Sequence, residues 1–435
     1  VQKVLIANRG EIAVRIARTC RAMGIGTVAV CSDPDVDGVH VAACDEAVCI
    51  GGDTPATSYL RQDLLLDAAR RTGADAVHPG FGFLAENAEF ARAVAAAGLT
   101  WIGPSAEAIA AMGDKVEAKR RMREAGVPLL PSVELDAGAD VAAAGDTVGY
   151  PLMVKAAAGG GGKGMRVVED RAALSDAVAS ARRESASAFG DDRVFLERYV
   201  ARARHVEVQV VGDAHGEVVH LFERECSVQR RHQKVVEETP SPRLDAGRRA
   251  ELCAAAVAAA RAVEYVGAGT VEFVLDDDTG EFAFLEMNTR LQVEHPVTEE
   301  VTGVDLVRWQ LLVAQGAGLP LSQDEIRSNG HAIEVRLYAE DPGNAYLPAT
   351  GTLTGFRPAP DVSLRWESGV VQGSVVSPYY DPMLAKVIAW APSRAEAAAL
   401  LARGLERTVL QGVTTNRDLL VAVLRDDAFV AGDTT

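Results

Sequence analysis

The sequence predicts a multidomain α/β and α+β protein, and three observations carry that reading. Across residues 1–112, short apolar runs alternate with helical stretches, the pattern of a doubly wound parallel sheet. The middle of the chain holds strands whose side chains alternate polar with apolar, interrupted by a glycine run. Residues 326–435 mix further strands with one Ala-rich helix, an α+β composition.

Taken in order, Lys3 to Ala7 reads as a buried strand, and Asn8 to Glu11 as a turn opening a helix through about Met23. Thr27–Cys31 is a second strand. Apolar runs at 47–50, 75–77 and 100–102 alternate with helical stretches near 58–71, 88–97 and 104–112. A dinucleotide site is not expected, because the first turn offers Gly10 alone where the fingerprint needs three glycines. The loop His78 to Phe83 follows a strand, where open α/β sheets place ligands; an ordinary turn is the competing reading.

A basic helical run from Lys115 to Ala125, then Pro128 and Pro131, marks a boundary over 113–130. Pro151–Ala156 is a strand, followed by the glycines Gly159 to Gly162, Lys163 and Gly164, and a strand from Met165. Backbone N–H groups in such a run can approach phosphate without obstruction by Cβ. It is not a P-loop, since Gly164 stands where Ser or Thr should meet Mg2+ and Ala157 where the first Gly belongs. Lys155 and Lys163 beside the glycines favour an anion-covering flap over a flexible hairpin tip.

Val194–Val200 is a strand carrying Glu197, and His205–Val211 alternates polar with apolar, although a lone histidine such as His205 is more often structural. Residues 223–234 form a dense charged loop, for which a solvated surface is the bland reading; 246–266 are an Ala-rich helix. Then comes the most informative stretch. Gly269–Leu275 and Phe282–Leu285 read as a hairpin turning at Asp277–Gly280, which sets Glu272 opposite Glu286. Opposed residues of an antiparallel pair hold their Cβ atoms roughly 5 Å apart, so the two carboxylates repel unless a cation joins them. A divalent metal on Glu272, Glu286 and Asn288 is the expectation. Beyond Glu286 the alternation continues, with Asn288, Arg290, Gln292 and Glu294 on one face and Met287, Leu291 and Val293 on the other. The mixture of carboxylate, amide and guanidinium suits a cation and a planar oxyanion better than simple solvation.

Strands near 331–338, 351–356 and 384–390 and a helix near 393–409 complete the chain. Arg336 stands out there, with a surface salt bridge as its alternative. The bulk properties exclude several classes. With 435 residues the chain can bury a large core and divides into two to four domains. No stretch approaches the roughly 20 apolar residues of a membrane span, and no signal peptide is expected. A formal charge of −17 argues against nucleic acid. Six cysteines (Cys20, Cys31, Cys44, Cys49, Cys226, Cys253) show no metal-ligand spacing and fit a reducing, cytoplasmic compartment. The chain opens on Val1 and stops soon after a helical pattern, and is expected to be one part of a longer polypeptide.

Taken together, the motifs resemble biotin carboxylase, the ATP-grasp component of biotin-dependent carboxylases, from Val4 to the end. The resemblance rests on IANRGEIA at 6–13, HPGFGFLAEN at 78–87, MGDK at 112–115 and GGGGKGM at 159–165. RHVE at 204–207, QRRHQKVVEE at 229–238 and EMNTRLQVEHPVTE at 286–299 extend it, the last two together being highly specific. It implies a first domain over 1–112, an ATP-grasp lid over 131–199, an ATP-grasp core over 200–325 and a C-terminal domain over 326–435. It also implies that Lys115, Lys155, Gly161 and Gly162 hold phosphates, that Glu197 sits at adenine, and that His205, Gln229 and His232 line the nucleotide pocket. Glu272, Glu286 and Asn288 match the family's Mg2+ or Mn2+ positions. Bicarbonate would lie against Lys234, Arg290, Gln292 and Val293, with Glu294 as general base and Arg336 stabilising the enolate oxygen of biotin. The implied partners are a biotin carboxyl carrier domain, a carboxyltransferase and a second copy of the chain. The resemblance leaves the final acceptor open among an acyl-CoA, pyruvate and urea, with an acyl-CoA the first choice. Other ATP-grasp ligases, such as a carbamoyl-phosphate synthetase domain, and a non-catalytic nucleotide-binding module are the alternatives. Two departures are Phe81, where the family commonly has Tyr, and Arg198, where it has Lys.

Overall fold

The computed structural model describes residues 1–136, 138–157, 165–231, 233–360 and 362–435. Strands β1 (Lys3–Ile6), β2 (Gly26–Cys31), β3 (Glu46–Cys49), β4 (Ala76–His78) and β5 (Thr100–Trp101) form a parallel sheet in the order β3-β2-β1-β4-β5. The helix Gly10–Ala22 buries Ile12, Ala13, Ile16, Ala17 and Cys20, one face at helical spacing. The strand order reverses between β1 and β4, the switch point where such sheets open a crevice. Asn8 pins the following loop there, its Nδ2 donating to the carbonyls of Pro79 and Phe81, each at 2.7 Å. Gly80 has φ +63°, and a Cβ on it would stand 2.9 Å from Asn8 Nδ2, so glycine is required.

A second sheet, order β6-β9-β7-β8, contains β6 (Ser132–Leu135), β7 (Leu152–Ala156), β8 (Arg166–Val168) and β9 (Val194–Arg198), all antiparallel. The helices Val141–Val148 and Arg171–Phe189 cover it, burying Val148, Leu174 and Val178 against Leu152, Val154 and Leu196. Asp140 and Asp170 cap them, each side chain accepting two backbone N–H groups.

The third sheet organises the molecule. Strands β10 (Ala203–Gly212), β11 (Val218–Arg230), β12 (Gln233–Thr239), β13 (Gly267–Asp276), β14 (Phe282–Asn288) and β15 (His331–Tyr338) join the strands Met383–Ala391 and Arg365–Ser368. The order is β14-β13-β10-β11-β12-β15, then Met383–Ala391, then Arg365–Ser368, with every neighbouring pair antiparallel. At the β10–β13 end, Val206, Val208, Val271 and Phe273 point into a core shared with Ala256, Ala259 and Ala260 of the helix Ala246–Arg261. Alanines let that helix lie close to the sheet. The opposite face is polar and carries the site.

Three expectations need correction. Residues 223–234 are not a solvated loop: 223–230 belong to β11 and 233–234 to β12, and Glu223, Arg224 and Glu225 are buried. The strand expected over 351–356 is split into Gly351–Thr352 and Gly355–Arg357. The alternating stretch stays extended only to Asn288; Arg290 to Val293 form a loop, and Glu294 is the N-cap of the helix His295–Thr302. Pro296, at the start of that helix, presets its first turn.

Candidate active site

Register builds the site. On β10, His205 and Glu207 share the polar face by period-two alternation. Glu207 pairs with Arg224 on one side and Glu272 on the other, and Glu272 in turn pairs with Glu286. Three carboxylates therefore stand side by side across β10, β13 and β14, and the Glu272–Glu286 opposition matches the hairpin expected from sequence.

Lys234, on β12, neutralises the row from above. Its Nζ donates to Glu207 at 2.6 Å, Glu294 at 2.6 Å and Glu272 at 3.0 Å. Burial works against that ammonium, but the three carboxylates outweigh it and raise its pKa well above the ordinary lysine value. Arg224 holds the other oxygen of Glu207 at 2.6 Å and spends its remaining donors on Gln209, Thr270 and Thr298. Burial pushes Glu207 and Glu272 up, yet Lys234 with Arg224 or His205 holds both below the usual carboxylate range. Glu286 differs: burial and the neighbouring Glu272 charge raise it. His205 Nε2 lies 3.1 Å from Glu272. Burial opposes its protonation, but Glu272 overcomes this and pushes its pKa up to about 9.

Glu294 is fully buried where these elements meet. Its Oε1 accepts from Lys234, and its Oε2 from Arg336 Nη2 at 3.1 Å. Burial and Glu207 push it up; Lys234, Arg336 and Arg224 pull it below its usual value, so it stays an ionised acceptor. Arg336, which the sequence left open to a surface salt bridge, is nearly buried, and Glu237 accepts from its Nε at 2.6 Å. Arg290 is bound by Glu86 at 2.8 Å, Gln292 Oε1 at 2.8 Å and Asn288 Oδ1 at 3.3 Å. Gln292 and Asn288 also donate to Glu272, at 3.2 and 2.8 Å. Val293 gives its carbonyl to Lys386 Nζ at 2.7 Å. Lys155 of β7 and Lys119 of the helix Lys115–Glu124 both pair with the buried Glu197 of β9.

Every described site residue that the resemblance implies lines one cavity of about 630 Å3, namely Lys115, Lys155, Glu197, His205, Gln229, Lys234, Glu272, Glu286, Asn288, Arg290, Gln292, Val293, Glu294 and Arg336, whereas the loop His78 to Phe83 does not. Gly161, Gly162 and His232 lie outside the described residues. A larger hollow of about 1060 Å3 between Arg120–Ala125 and the helix Ala246–Arg261 is floored by Ala254, Val257 and Ala258 and contains none of these groups. Sequence reasoning missed Glu207, Arg224, Lys119, Glu86 and Glu237. The alternation His205–Glu207 could have given the first; the others depend on register or on contacts distant in sequence.

The donor set fits a hard divalent cation. Glu272 and Glu286 face each other with a raised pKa on one of them, and Asn288 adjoins them, its Nδ2 donating to Glu272 and its Oδ1 accepting from Arg290. Donor atoms of His205, Glu207 and Glu272 also lie within 4.8 Å of one another, a grouping that shares only Glu272 with the expected set.

Family models match almost end to end. Residues 1–109 match the biotin carboxylase N-terminal domain, 114–322 the ATP-binding domain of the carbamoyl-phosphate synthase L chain, and 334–435 the biotin carboxylase C-terminal domain. The chain is 50% identical over its whole length to a biotin carboxylase of Halalkalibacterium halodurans, covering 96% of that protein. It is also 50% identical to the mitochondrial methylcrotonoyl-CoA carboxylase subunit alpha of Arabidopsis thaliana, of whose length it spans 59%. A Campylobacter jejuni biotin carboxylase solved as a β,γ-ATP complex superposes with a TM-score of 0.96 at 42% identity, over 100% of this chain and 97% of that one. The biotin carboxylase domain dimer of Hydrogenobacter thermophilus 2-oxoglutarate carboxylase, solved with MgADP, ADP and bicarbonate, gives 0.95 at 42% identity, over 100% of this chain and 96% of that one. Fold and site thus define an ATP-grasp ligase. More narrowly, the chain belongs to the biotin carboxylase family.

Proposed function

We propose that the chain carboxylates N1′ of biotin, borne on a carrier domain, using ATP and bicarbonate. The observation that carries this is Glu294: a buried carboxylate held ionised between Lys234 and Arg336, in the cavity that also contains the opposed Glu272 and Glu286. Bicarbonate binds against Lys234, Arg290, Gln292 and the Val293 backbone. Glu294 takes its proton, so that a bicarbonate oxygen attacks the γ-phosphorus and ADP leaves. The resulting carboxyphosphate breaks to CO2 and phosphate; phosphate takes the N1′ proton, and the nitrogen attacks CO2. Arg336 supplies charge where the ureido oxygen becomes enolate-like.

Lys115 and Lys155 hold the nucleotide phosphates as point charges, with Glu197, His205 and Gln229 around the remainder. Glu272, Glu286 and Asn288 would hold Mg2+ or Mn2+. When bound, the metal offsets phosphate charge. Lid closure excludes water from carboxyphosphate, which hydrolyses. A carboxyltransferase partner and a homodimeric arrangement are part of the proposal, the latter supported by the dimeric Hydrogenobacter thermophilus domain. An acyl-CoA as final acceptor is supported by the methylcrotonoyl- and propionyl-CoA carboxylase relatives.

The test is ATP hydrolysis with Mg2+ and bicarbonate, with and without free biotin, on wild type and Glu294→Gln. Biotin-stimulated turnover that collapses in the variant supports the reaction and the base. Turnover indifferent to biotin, free or carrier-bound, would favour another ATP-grasp chemistry of the carbamoyl-phosphate kind; no turnover at all would favour a non-catalytic nucleotide-binding module.

A further inference from the structure

Behind Arg336 lies a pair of carboxyls that the proposed reaction leaves unused. Glu237 on β12 and Glu334 on β15 are direct cross-strand partners, and both are wholly buried. Glu237 Oε1 accepts from Arg336 Nε at 2.6 Å, while Arg336 Nη2 reaches Glu294 at 3.1 Å. The guanidinium is thus held by one carboxylate at Nε and another at Nη2, which fixes the direction of its plane. The other three oxygens, Glu237 Oε2 and both of Glu334, have no hydrogen-bond partner among the described residues. Two neighbouring ionised carboxylates with one donor for their four oxygens are costly in a dry interior. A single proton on one of those three oxygens halves the charge of the pair and supplies a donor to the other two.

The surroundings are consistent with that state. The charges facing the pair are Arg336 on β15, Lys234 on β12, Lys386 on the strand Met383–Ala391 and Glu294 at the start of the helix His295–Thr302. Within that helix, burial keeps His295 neutral, and Glu299 is taken up by Arg15 and Arg365. Lys386 is itself shared with Glu11 of the helix Gly10–Ala22, at 3.2 Å. Burial pushes Glu237 up to about 7 and Glu334 well above its usual range, each beside the other's charge or that of Glu294.

We propose that Glu237 is the positioning residue for Arg336 in the biotin half of the reaction, and that it shares one proton with Glu334. This rests on the reading of Arg336 given above. Glu237 touches no substrate. It keeps the guanidinium from swinging wholly onto Glu294, so that charge remains available to the ureido oxygen.

The readout is the ratio of biotin-stimulated to biotin-independent ATP turnover in the full chain. Glu237→Gln lowers the ratio by roughly tenfold to a hundredfold, the cost of misaiming a group that acts through geometry, and Glu237→Asp recovers part of it. A general loss of structure lowers both rates together and leaves the ratio where it was, which would count against positioning. Arg336→Gln, run in parallel, separates the two levels of the argument. If it leaves the ratio unmoved, the reading of Arg336 is wrong and this inference goes with it. If it collapses the ratio while Glu237→Gln does not, the positioning role alone is overturned. The shared proton has its own readout: at neutral pH the wild type shows the infrared carbonyl band of a protonated carboxyl, and Glu334→Gln lacks it. A wild-type spectrum without that band overturns the sharing.

Discussion

Replacing Glu197 by Gln removes one charge and almost no volume from the join between the sheet β6-β9-β7-β8 and the helix Lys115–Glu124. Glu197 on β9 pairs with Lys155 on β7 and with Lys119 on that helix, and Lys119 also sits 4.4 Å above the Phe195 ring. All three side chains are largely shielded from solvent. After the substitution the buried ammonium of Lys119 faces an amide. If it stays charged, the loss is that of breaking a buried pair, about 3–5 kcal/mol. If it releases its proton, the cost is about 1.4 kcal/mol for each unit between the unfolded pKa of about 10.4 and the solution pH. That ceiling is about 4 kcal/mol at pH 7.5 and about 2 kcal/mol at pH 9.

The sign follows from linkage. Burial already holds Lys119 below the ordinary lysine value against the pull of Glu197. Without Glu197 its folded pKa drops further, the unfolded chain binds more protons, and the variant gains stability as pH rises. The wild-type contribution of Glu197, whose folded pKa is depressed, is present above the unfolded carboxylate pKa and does not change over this window. The defect should therefore shrink with pH. Hydrogen exchange of peptides covering β7 and β9 measures it: protection falls on the order of 10^3-fold at pH 7.5 and roughly 30-fold at pH 9. Equal losses at both pH values, or losses below about threefold, would refute the argument, since the pair would then contribute nothing net.

Other substitutions address the chemistry directly. Glu294→Gln lowers bicarbonate-dependent ATP turnover by at least on the order of 10^2-fold, as expected on losing a general base, measured by phosphate release. Glu86→Ala frees Arg290 and the Thr289 amide. Since the pair is half exposed and worth at most about 1 kcal/mol, the KM for bicarbonate should rise no more than about fivefold. Glu286→Gln should raise the Mg2+ concentration for half-maximal turnover by about tenfold, with bicarbonate KM as the internal control.

Some of this architecture was legible because its cause is local. Alternation through Gly269–Leu275 and Phe282–Glu286, with one turn between, predicts the hairpin, and Glu272 does stand against Glu286, although the register shifts by one residue between Glu272 and Phe273. Arg224 was not legible for the opposite reason. A run such as Glu223-Arg224-Glu225 reads as surface because charge is normally solvated; only the pairing of β11 with β10 reveals that Arg224 is buried against Glu207. The alternation from Arg290 to Glu294 picked out residues that line the cavity, but on an incorrect backbone. A loop and a helix N-cap gather into the cavity the side chains that a continued strand would have presented. Lys115 and Lys119 are one helical turn apart, yet only the first belonged to a quoted motif. The partner of Lys119 is 78 residues away.

The hydrogen-bonded ladder from Phe282–Asn288 to Arg365–Ser368 passes without a break from β12 into β15. Family models change over between residues 322 and 334, an interval that reaches into the start of β15. Cutting the polypeptide there would not release two finished modules. Each piece would carry a raw edge, Val236–Thr239 on one and Ala332–Val335 on the other, with unpaired backbone groups that invite foreign strands. Made together, the pieces have a template for rejoining; made apart, each is predisposed to precipitate. Glu294 would then be in one tube and Arg336 in the other.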